Sequence, residues 1–372
     1  MAILFILFAF LAQTILFLTH WFLYKTAVRF IFAASPAALP ALKIFLGVMS
    51  LTFVAASLLS SRYSALPARF FYIVAVFWLG LLLYFSLAAA FCWLAYGLTQ
   101  WFSFTLNLKL FAVASFTLAL GVGIYGTINA NFIRTTNLTL KIPNLPQLWQ
   151  NKTAVWISDL HLGEVRNKNF AKMIAARVKG LNPDVVFIGG DLYDGEAVDL
   201  DKVTEPFSQI NSAFGTYFIT GNHEEFSDAN KQRYLETVAR YGLRILENEM
   251  VILDGLQIIG VDYSDSSSQQ NFENILKNVK INPNQPSILL KHAPTNIPAA
   301  KEAGISLQLS GHAHAGQIFP VGLISHLVYK GYEYGLKQEE NFFIYTSSGA
   351  GTWGPPMRVG AAPEIVLIKF EN

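Results

Sequence analysis

The sequence predicts an all-α membrane region followed by an α/β domain. The 372-residue chain is 53% hydrophobic and 14% charged, which is more apolar than soluble proteins usually are. All 25 acidic residues lie from Asp159 onward. In the second half, short β-rich runs alternate with amphipathic stretches, a pattern typical of helices packed on parallel strands. A chain of this length accommodates about two domains.

Residues 1–131 are predicted to form a transmembrane region with four helices. Each helix corresponds to an apolar run that can cross the roughly 30 Å of hydrocarbon in a bilayer, which takes about 20 residues. The runs cover residues 2–24, 42–59, 70–98 and 110–128. The alternative, a set of buried soluble helices, would need a core far larger than this chain could surround.

The second half of the chain is acidic. Nine of the 27 basic residues precede Asp159, which leaves 18 basic against 25 acidic residues after that point, a formal net charge of −7. Such a domain lacks the basic footprint that binds a phosphate backbone, so we expect no nucleic acid among its partners. The single cysteine, Cys92, lies within an apolar run and forms no intramolecular disulfide.

Residues 132–152 are predicted to form a linker that contains a first strand at 137–142, and residues 153–372 to form the α/β domain. The first part of that domain alternates strands at 154–158, 184–188 and 216–220 with helices at 167–179, 202–211 and 228–241. Later strands are more closely spaced, which predicts a second, mixed sheet packed on the first. They cover residues 250–253, 257–261, 287–290, 306–309, 342–346 and 364–369.

Side chains that suit metal ions follow five of the predicted strands. The segments are SDLHLG, GGDLYDG, GNHEE, KHAP and GHAHAGQ, and they contain five of the seven histidines. Carboxylate, amide and imidazole groups bind ions of the Mn, Fe or Zn type, and a carboxylate can bridge two of them. Each segment alone also occurs in ordinary turns. Five in this order, each after a strand, predict a binuclear metal site.

In these segments the sequence resembles the calcineurin-like metallophosphoesterase superfamily. The family pattern D-x-H, G-D-x-x-D, G-N-H-[DE], H, G-H-x-H is complete here. The resemblance covers residues 153–372 and implies a four-layer αββα metallophosphoesterase sandwich. The ending SSGAGTWGPPMRVGAAPEI is similar to that of a membrane-associated branch with YkuE-like enzymes and UDP-2,3-diacylglucosamine hydrolases. One departure is Ala315, where glycine is more usual, and it removes no ligand.

The resemblance also implies two divalent metal ions and the residues that hold them. The implied ligands are Asp159, His161 and His314 for one ion, Asn222, His292 and His312 for the other, and Asp191 as the bridge between both. His223 would lie near the leaving-group oxygen of the substrate, as a general acid or hydrogen-bond donor.

Further residues have two interpretations each. Asp194 and Glu224 are predicted to orient ligating imidazoles, or else to be plain loop acids. Arg358 is predicted to contact substrate phosphate, which a guanidinium pairs well with, and the alternative is a structural salt bridge. The apolar run at 318–329 is predicted to be a strand with His326 at its edge. In the alternative, this run faces the membrane and helps to admit a lipid tail.

The resemblance implies a membrane-anchored phosphohydrolase in which metal-bound hydroxide cleaves a phosphate ester or pyrophosphate. A lipid-linked or UDP-diacylglucosamine-like substrate suits the hydrophobic anchor. The alternatives are a tethered hydrolase of soluble phosphodiesters and a membrane sensor or scaffold that binds metal without turnover. We expect a multi-pass protein of a bacterial plasma membrane. Basic residues flank the two sides of the spans almost equally, and a nucleotide-linked substrate favours a cytoplasmic domain.

Overall fold

The computed structural model describes residues 2–32, 36–60, 62–63, 65–195, 198–225 and 228–371. The chain divides into two compact units. The first comprises Met1–Ile128 with Gly354–Met357, and the second comprises Asn129–Trp353 with Arg358–Asn372. The second unit contains all five segments that the sequence predicts to bind metal.

Long apolar helices build the first unit: α1 (Ala2–Phe30), α2 (Leu39–Ser60), α3 (Leu66–Phe102) and α4 (Leu108–Asn129). Within the part of the chain that the structure describes, three of them, α2, α3 and α4, are long and apolar enough to cross a membrane. This count differs from the four spans predicted, since α1 is helical but is not among the three. The side chains of residues 2–6 and 8, where the predicted first span starts, lie outside the described part.

Polar side chains within these helices find partners on neighbouring helices. Nε1 of Trp78 donates a hydrogen bond to Nε2 of His20 at 2.9 Å, and Nε1 of Trp93 donates to Oγ1 of Thr26 at 3.0 Å. Within α1 itself, Nδ1 of His20 lies 2.7 Å from the carbonyl oxygen of Leu16. Because hydrocarbon offers no hydrogen bonds, such pairing stabilises contacts between the helices.

Two six-stranded sheets form the centre of the second unit. Along the chain the strands are β1 (Arg134–Lys141), β2 (Thr153–Ile157), β3 (Val185–Ile188), β4 (Thr216–Phe218), β5 (Arg244–Ile245), β6 (Glu249–Leu253), β7 (Leu256–Gly260), β8 (Ser287–Leu290), β9 (Leu307–Ser310), β10 (Gly335–Glu339), β11 (Phe342–Thr346) and β12 (Glu364–Glu371). The first sheet has the order β1-β12-β2-β3-β4-β5, and the second has the order β10-β11-β9-β8-β7-β6. Strands β2 to β5 are parallel, as are β7, β8, β9 and β11.

Six helices accompany these sheets: α5 (Lys168–Gly180), α6 (Leu200–Thr204), α7 (Asp228–Arg240), α8 (Gln269–Asn278), α9 (Ile297–Glu302) and α10 (Val321–Val328). Ile174 and Val178 of α5 pack in one cluster with Val186 of β3. Phe272 of α8 packs in a separate cluster with Leu289 of β8. Helices therefore cover one face of each sheet.

The other faces of the two sheets bury a common core. Trp156 of β2 and Phe187 of β3 pack in one cluster with Ile258, Leu290 and Leu309 of the second sheet. Full burial of an aliphatic or phenyl side chain stabilises the fold by about 1.5–3 kcal/mol. The layers are thus helix, sheet, sheet and helix, which confirms the predicted αββα sandwich.

Some elements differ from the prediction. The first strand, predicted at 137–142, is confirmed with shifted bounds, Arg134–Lys141. The strand predicted at 364–369 was assigned to the second sheet, but as β12 it lies in the first sheet, between β1 and β2. The run at 318–329, predicted to be a strand, contains the helix α10. The absence of a side chain at Gly316 lets the first turn of α10 come close, since an added Cβ at Gly316 would lie 2.1 Å from the Cα of Gly322. The short elements β5, β10 and α9 and the mostly polar α8 were not predicted.

Candidate metal centre

The five predicted metal-binding segments come together in the second unit. Each follows the carboxyl end of a parallel strand, and such ends meet at one edge of a sheet. The side chains are Asp159 and His161 after β2, Asp191 and Asp194 after β3, Asn222 and His223 after β4, His292 after β8, and His312 and His314 after β9. The two sheets therefore contribute to one site.

Asp159, His161 and His314 form a first group, whose ligand atoms all lie within 4.8 Å of one another. Nε2 of His314 is 3.5 Å from Oδ1 of Asp159 and 3.0 Å from Nε2 of His161. Metal–ligand bonds of about 2.0–2.2 Å separate neighbouring ligand atoms by distances of this size. The group therefore has the spacing of a metal site.

Asp191, His292 and His312 form a second group with ligand atoms equally close together. Oδ2 of Asp191 is 3.3 Å from Nε2 of His292. The same oxygen is 3.7 Å from Nε2 of His161, which belongs to the first group. One carboxylate oxygen thus lies between the two groups, in the position of a bridging ligand.

The donor atoms of the second group fit a bound cation. Nδ1 of His292 lies 2.6 Å from the carbonyl oxygen of Gly189. That carbonyl accepts the Nδ1 proton, which leaves the lone pair of Nε2 for a ligand. Nε2 of His292 and Oδ1 of Asn222 are buried and have no hydrogen-bond partner among the described residues. A buried acceptor without a partner is costly, and each of these two atoms is of a kind that binds a divalent ion of the Mn, Fe or Zn type.

Five of the predicted ligands have a left-handed backbone conformation. The φ angles are 54° at Asp159, 48° at His161, 50° at Asp191, 66° at His312 and 49° at His314. Only a few per cent of non-glycine residues adopt positive φ, and such strained residues concentrate at functional sites. The folded loops therefore impose the direction of these side chains at some cost in backbone energy.

Burial and neighbouring charge set the protonation of the site. Burial lowers the pKa of His161 to about 4 and the pKa of His312 to about 3. Both rings are therefore neutral at pH 7, the form that binds metal. Burial raises the pKa of Asp191, but the adjacent histidines outweigh it and hold this pKa well below its usual range. Asp191 is accordingly an anion. Burial lowers the pKa of His292, but the charge of Asp191 and a hydrogen bond with it raise this pKa to about 9, so a metal ion on Nε2 of His292 would have to displace a proton.

His223 lies beside the two groups and belongs to neither. Its ring centroid is 4.6 Å from that of His161, and its Nδ1 is 3.2 Å from Oδ1 of Asp194. Burial lowers the pKa of His223, but the hydrogen bond with Asp194 and the charge of Asp191 raise it by more. His161, Asp194 and His223 also bring three ligand atoms within 4.8 Å of one another. Asp194 thus contacts His223, the residue predicted to act as general acid. The sequence instead predicted that Asp194 orients an imidazole that binds metal.

Glu224 binds backbone amides, and this geometry differs from the predicted contact with imidazoles. Its buried carboxylate accepts hydrogen bonds from the N–H groups of Asp191 (2.8 Å), Leu192 (2.9 Å), Tyr193 (3.2 Å) and Gly221 (2.8 Å). These amides belong to the loops after β3 and β4, so Glu224 ties two ligand loops together. Burial and the charge of Asp191 raise the pKa of Glu224, while the amides oppose the rise.

Arg358 does not reach the opening of the site. Its fully buried guanidinium donates hydrogen bonds to the carbonyl oxygens of His314 at 3.0 Å and Gly351 at 2.6 Å. Nη2 also lies 3.2 Å from Nδ1 of His314. The predicted contact with substrate phosphate does not fit this burial, because protein acceptors already occupy the donors. Arg358 instead positions His314.

Three aromatic side chains at the site were not predicted. Tyr263, in the loop after β7, has its ring centroid 5.6 Å from that of His292 and 5.7 Å from that of His312. The ring centroid of Tyr329 lies 6.1 Å from that of His312. The ring centroid of Trp353 lies 6.0 Å from that of His223. Tyr263 could have been found, because it follows a strand in the same way as the ligand segments. The other two follow no such strand.

The sequence of this chain is similar to those of known proteins. A family model described as calcineurin-like phosphoesterase matches residues 152–316. An uncharacterized metallophosphoesterase of Helicobacter pylori is 36% identical over 233 residues, which are 61% of this chain and 61% of the relative. One of Aquifex aeolicus is 31% identical over 261 residues, 68% of this chain and 98% of the relative. A Bos taurus transmembrane protein with metallophosphoesterase domain is 32% identical over 254 residues, 63% of this chain and 56% of the relative. The matches thus span less than two thirds of the Helicobacter and bovine proteins.

Proposed function

This chain belongs to the calcineurin-like metallophosphoesterase family, and we propose that it is a membrane-anchored, binuclear-metal phosphohydrolase that cleaves a phosphate ester or pyrophosphate. The observation that carries the proposal is the position of Asp191. Its Oδ2 lies within 3.7 Å of Nε2 of both His161 and His292, one from each ligand group. Two ions that share a carboxylate suit phosphoryl transfer.

The proposed assignment of ligands follows the two groups. Asp159, His161 and His314 hold one ion, Asn222, His292 and His312 hold the other, and Asp191 holds both. When bound, divalent ions lower the pKa of coordinated water and neutralise charge that develops on the phosphate. Glu224 fixes two of the ligand loops through their amides, and Arg358 fixes His314. The donor set suits Mn, Fe or Zn.

His223 is proposed to donate a proton or hydrogen bond to the leaving-group oxygen. Its Nδ1 faces Oδ1 of Asp194 at 3.2 Å, and we propose that the other ring nitrogen, Nε2, faces the substrate. A positioned acid of this kind contributes about 10²–10⁴-fold to a rate. Asp194 acts through His223, by holding the ring in one orientation.

We propose that the substrate phosphate is carried by a membrane-associated molecule, such as a lipid-linked or UDP-diacylglucosamine-like pyrophosphate. Two observations support this substrate class: three helices apolar enough to cross a membrane, and the exposed apolar helix α10 directly after the ligand loop. A tethered hydrolase of soluble phosphodiesters is the alternative. Comparing turnover of lipid pyrophosphates in detergent with that of bis-p-nitrophenyl phosphate separates the two.

We further propose a multi-pass protein of a bacterial plasma membrane whose phosphoesterase unit faces the cytoplasm. The apolar helices and the bovine relative named a transmembrane protein support the membrane, and the bacterial relatives support a bacterial one. A nucleotide-linked lipid substrate would favour the cytoplasmic face. A C-terminal fusion to a reporter that is active only outside the cytoplasm tests the side. Reporter activity would reverse the assignment.

The test of the enzyme uses the full-length protein in detergent, stripped of metal by a chelator and then supplied with Mn²⁺. Hydrolysis of bis-p-nitrophenyl phosphate should appear with Mn²⁺ and fall about 10²-fold or more in Asn222→Ala and in His223→Ala. His326→Ala is the matched control, because His326 is exposed on α10, and it should keep full activity.

A folded, metal-loaded protein that cleaves neither soluble diesters nor lipid pyrophosphates would contradict the hydrolase. The metal-binding sensor or scaffold would then become the better proposal, since the ligand groups would remain without turnover.

A further inference from the structure

The helix α10 presents an apolar surface to solvent. None of its eight residues, all of which the structure describes, is buried. Leu323, Ile324, Leu327 and Val328 are between 60% and 77% exposed. These positions are spaced i, i+1, i+4 and i+5, so they share one side of the helix. Soluble proteins rarely expose such a contiguous apolar patch without a partner.

The backbone of α10 packs directly against the ligand loop after β9. An added Cβ at Gly316 would lie 2.1 Å from the Cα of Gly322 in α10, so the two backbones are in close contact. At the end of α10, the ring centroid of Tyr329 lies 6.1 Å from that of His312. Whatever covers the exposed side of α10 is therefore close to the candidate metal centre.

The chemistry around α10 suits lipid headgroups. From residue 303 to residue 332 the sequence contains no acidic residue, and Lys330 is the one Lys or Arg. The next acid, Glu333, is paired with Nδ1 of His326 on α10 at 2.7 Å. Trp353, whose carbonyl accepts a hydrogen bond from Gln317 just before α10, is 58% exposed. Tyr334 is also exposed. Exposed Trp and Tyr side chains are typical of the membrane–water interface, where one end is apolar and the other wet.

Two further observations favour a bilayer over a second copy of the chain. Only four residues, 130–133, connect α4 to β1, so a short connection tethers the second unit to a helix that is apolar enough to span the membrane. A stable protein interface takes about 20–30 residues on each side. An eight-residue helix with two aromatic neighbours is too small for that, whereas a short apolar face suffices in the lipid interface when a tether already supplies proximity.

We propose that α10 lies in the headgroup region of the bilayer, with Leu323, Ile324, Leu327 and Val328 in contact with lipid. The helix is then a membrane-docking surface, separate from the spanning helices. One consequence rests on the proposed function: the metal centre opens at the level of lipid phosphates, so its substrates reach it from the bilayer surface. The docking itself requires no catalysis and is tested without it.

The experiment uses the full chain in phosphatidylcholine–phosphatidylglycerol vesicles. Leu327→Cys is labelled with the environment-sensitive fluorophore NBD, and Gln232→Cys on α7, which is also exposed, is the matched control. Cys92 is buried, and labelling of the parent chain measures its background. A doxyl-labelled lipid should remove about half or more of the emission at position 327, because an interfacial helix lies ~5–10 Å into the bilayer. Emission at position 232 should not change.

A second variant tests whether the quenching depends on the apolar side of α10 or only on the protein being in a vesicle. Leu323→Asp combined with Ile324→Asp should abolish the quenching at position 327 and leave hydrolysis of a soluble diester intact. Emission at 327 that lipid does not quench overturns the proposal. If that emission is blue-shifted and depends on the protein-to-lipid ratio, a second copy covers α10. If the diester is never cleaved but the quenching occurs, the proposed function fails and the docking stands.

Discussion

Nδ1 of His223 lies 3.2 Å from Oδ1 of Asp194, and the two residues come from different loops, after β4 and β3. The imidazole is therefore oriented by a carboxylate that belongs to a neighbouring segment of the sheet edge. This arrangement resembles the usual pairing of a general acid with a group that holds its ring, and it separates His223 from the ligand groups.

Replacing His223 by Asn should lower kcat by about 10²–10⁴-fold while metal content stays unchanged, because in the proposed mechanism His223 acts on the leaving group and is not a metal ligand. The loss should be smaller for a p-nitrophenyl ester than for an alkyl ester. An alkoxide is the stronger base, so its departure depends more on a donated proton. Steady-state kinetics with both ester types check this. His326→Asn is the control. An equal loss for both leaving groups would assign His223 another role.

On the proposed assignment two ions share the carboxylate of Asp191, so replacing Asp191 by Asn should reduce bound metal from two equivalents per chain to one or none. Asp159→Asn should affect a single equivalent. Metal content after dialysis against Mn²⁺, measured by mass spectrometry of the elements, distinguishes the cases. Asp201→Asn is the control, since Asp201 forms an exposed ion pair with Arg240. Two equivalents retained in Asp191→Asn would argue against a bridge.

Replacing Glu224 by Gln should destabilise the second unit. Four backbone N–H groups point at the buried carboxylate, and the amide of glutamine would direct its own donors at some of them. A buried donor without an acceptor costs about 1–3 kcal/mol, so the thermal midpoint should fall and metal should bind more weakly. Tryptophan fluorescence during heating measures the midpoint. Glu236→Gln, which changes an exposed carboxylate, should leave it unchanged.

The contacts of Lys231 predict a stability that depends on pH. Its ammonium pairs with Asp262, and Glu225 and Glu247 lie within 3.5 Å. Burial raises the pKa of Asp262, but hydrogen bonds from Glu225 and Lys231 outweigh it and lower this pKa from 3.8 to about 2. A lowered carboxyl pKa stabilises the fold above the unfolded value, and the effect is lost as pH falls through about 2.

Lys231→Met should therefore have a lower unfolding midpoint than the parent near pH 6, and the difference should shrink between about pH 4 and pH 2. Lys172→Met, which removes an exposed lysine of α5, should show no such trend. Glu225 is half-buried, and its pKa is raised above 4.5. It therefore lowers the stability of the fold as the pH rises from about 4.5 towards that raised pKa. A constant difference across this range would contradict the role given to the pair.

Much of the fold followed from local patterns. The apolar runs of the first half predicted long helices, and strands such as β8 and β11 have the bounds that the alternation of residues predicted. α10 did not follow, because an apolar run of this length fits a buried strand as well as a helix. The helix packs closely against Gly316 through Gly322, and that contact exists only in the folded chain.

The sequence by itself determined two packed sheets with accompanying helices and the side chains that stand at strand ends, since both depend on the order of strands and on the residues that directly follow them. The four αββα layers were implied by the resemblance to a known family. Only the tertiary structure decided what those residues touch. Glu224 accepts hydrogen bonds from the backbone amides of a loop about 30 residues away. Arg358 is buried against His314, 44 residues away. Such pairings depend on how the two sheets pack and which groups lose water, and a local pattern contains neither kind of information.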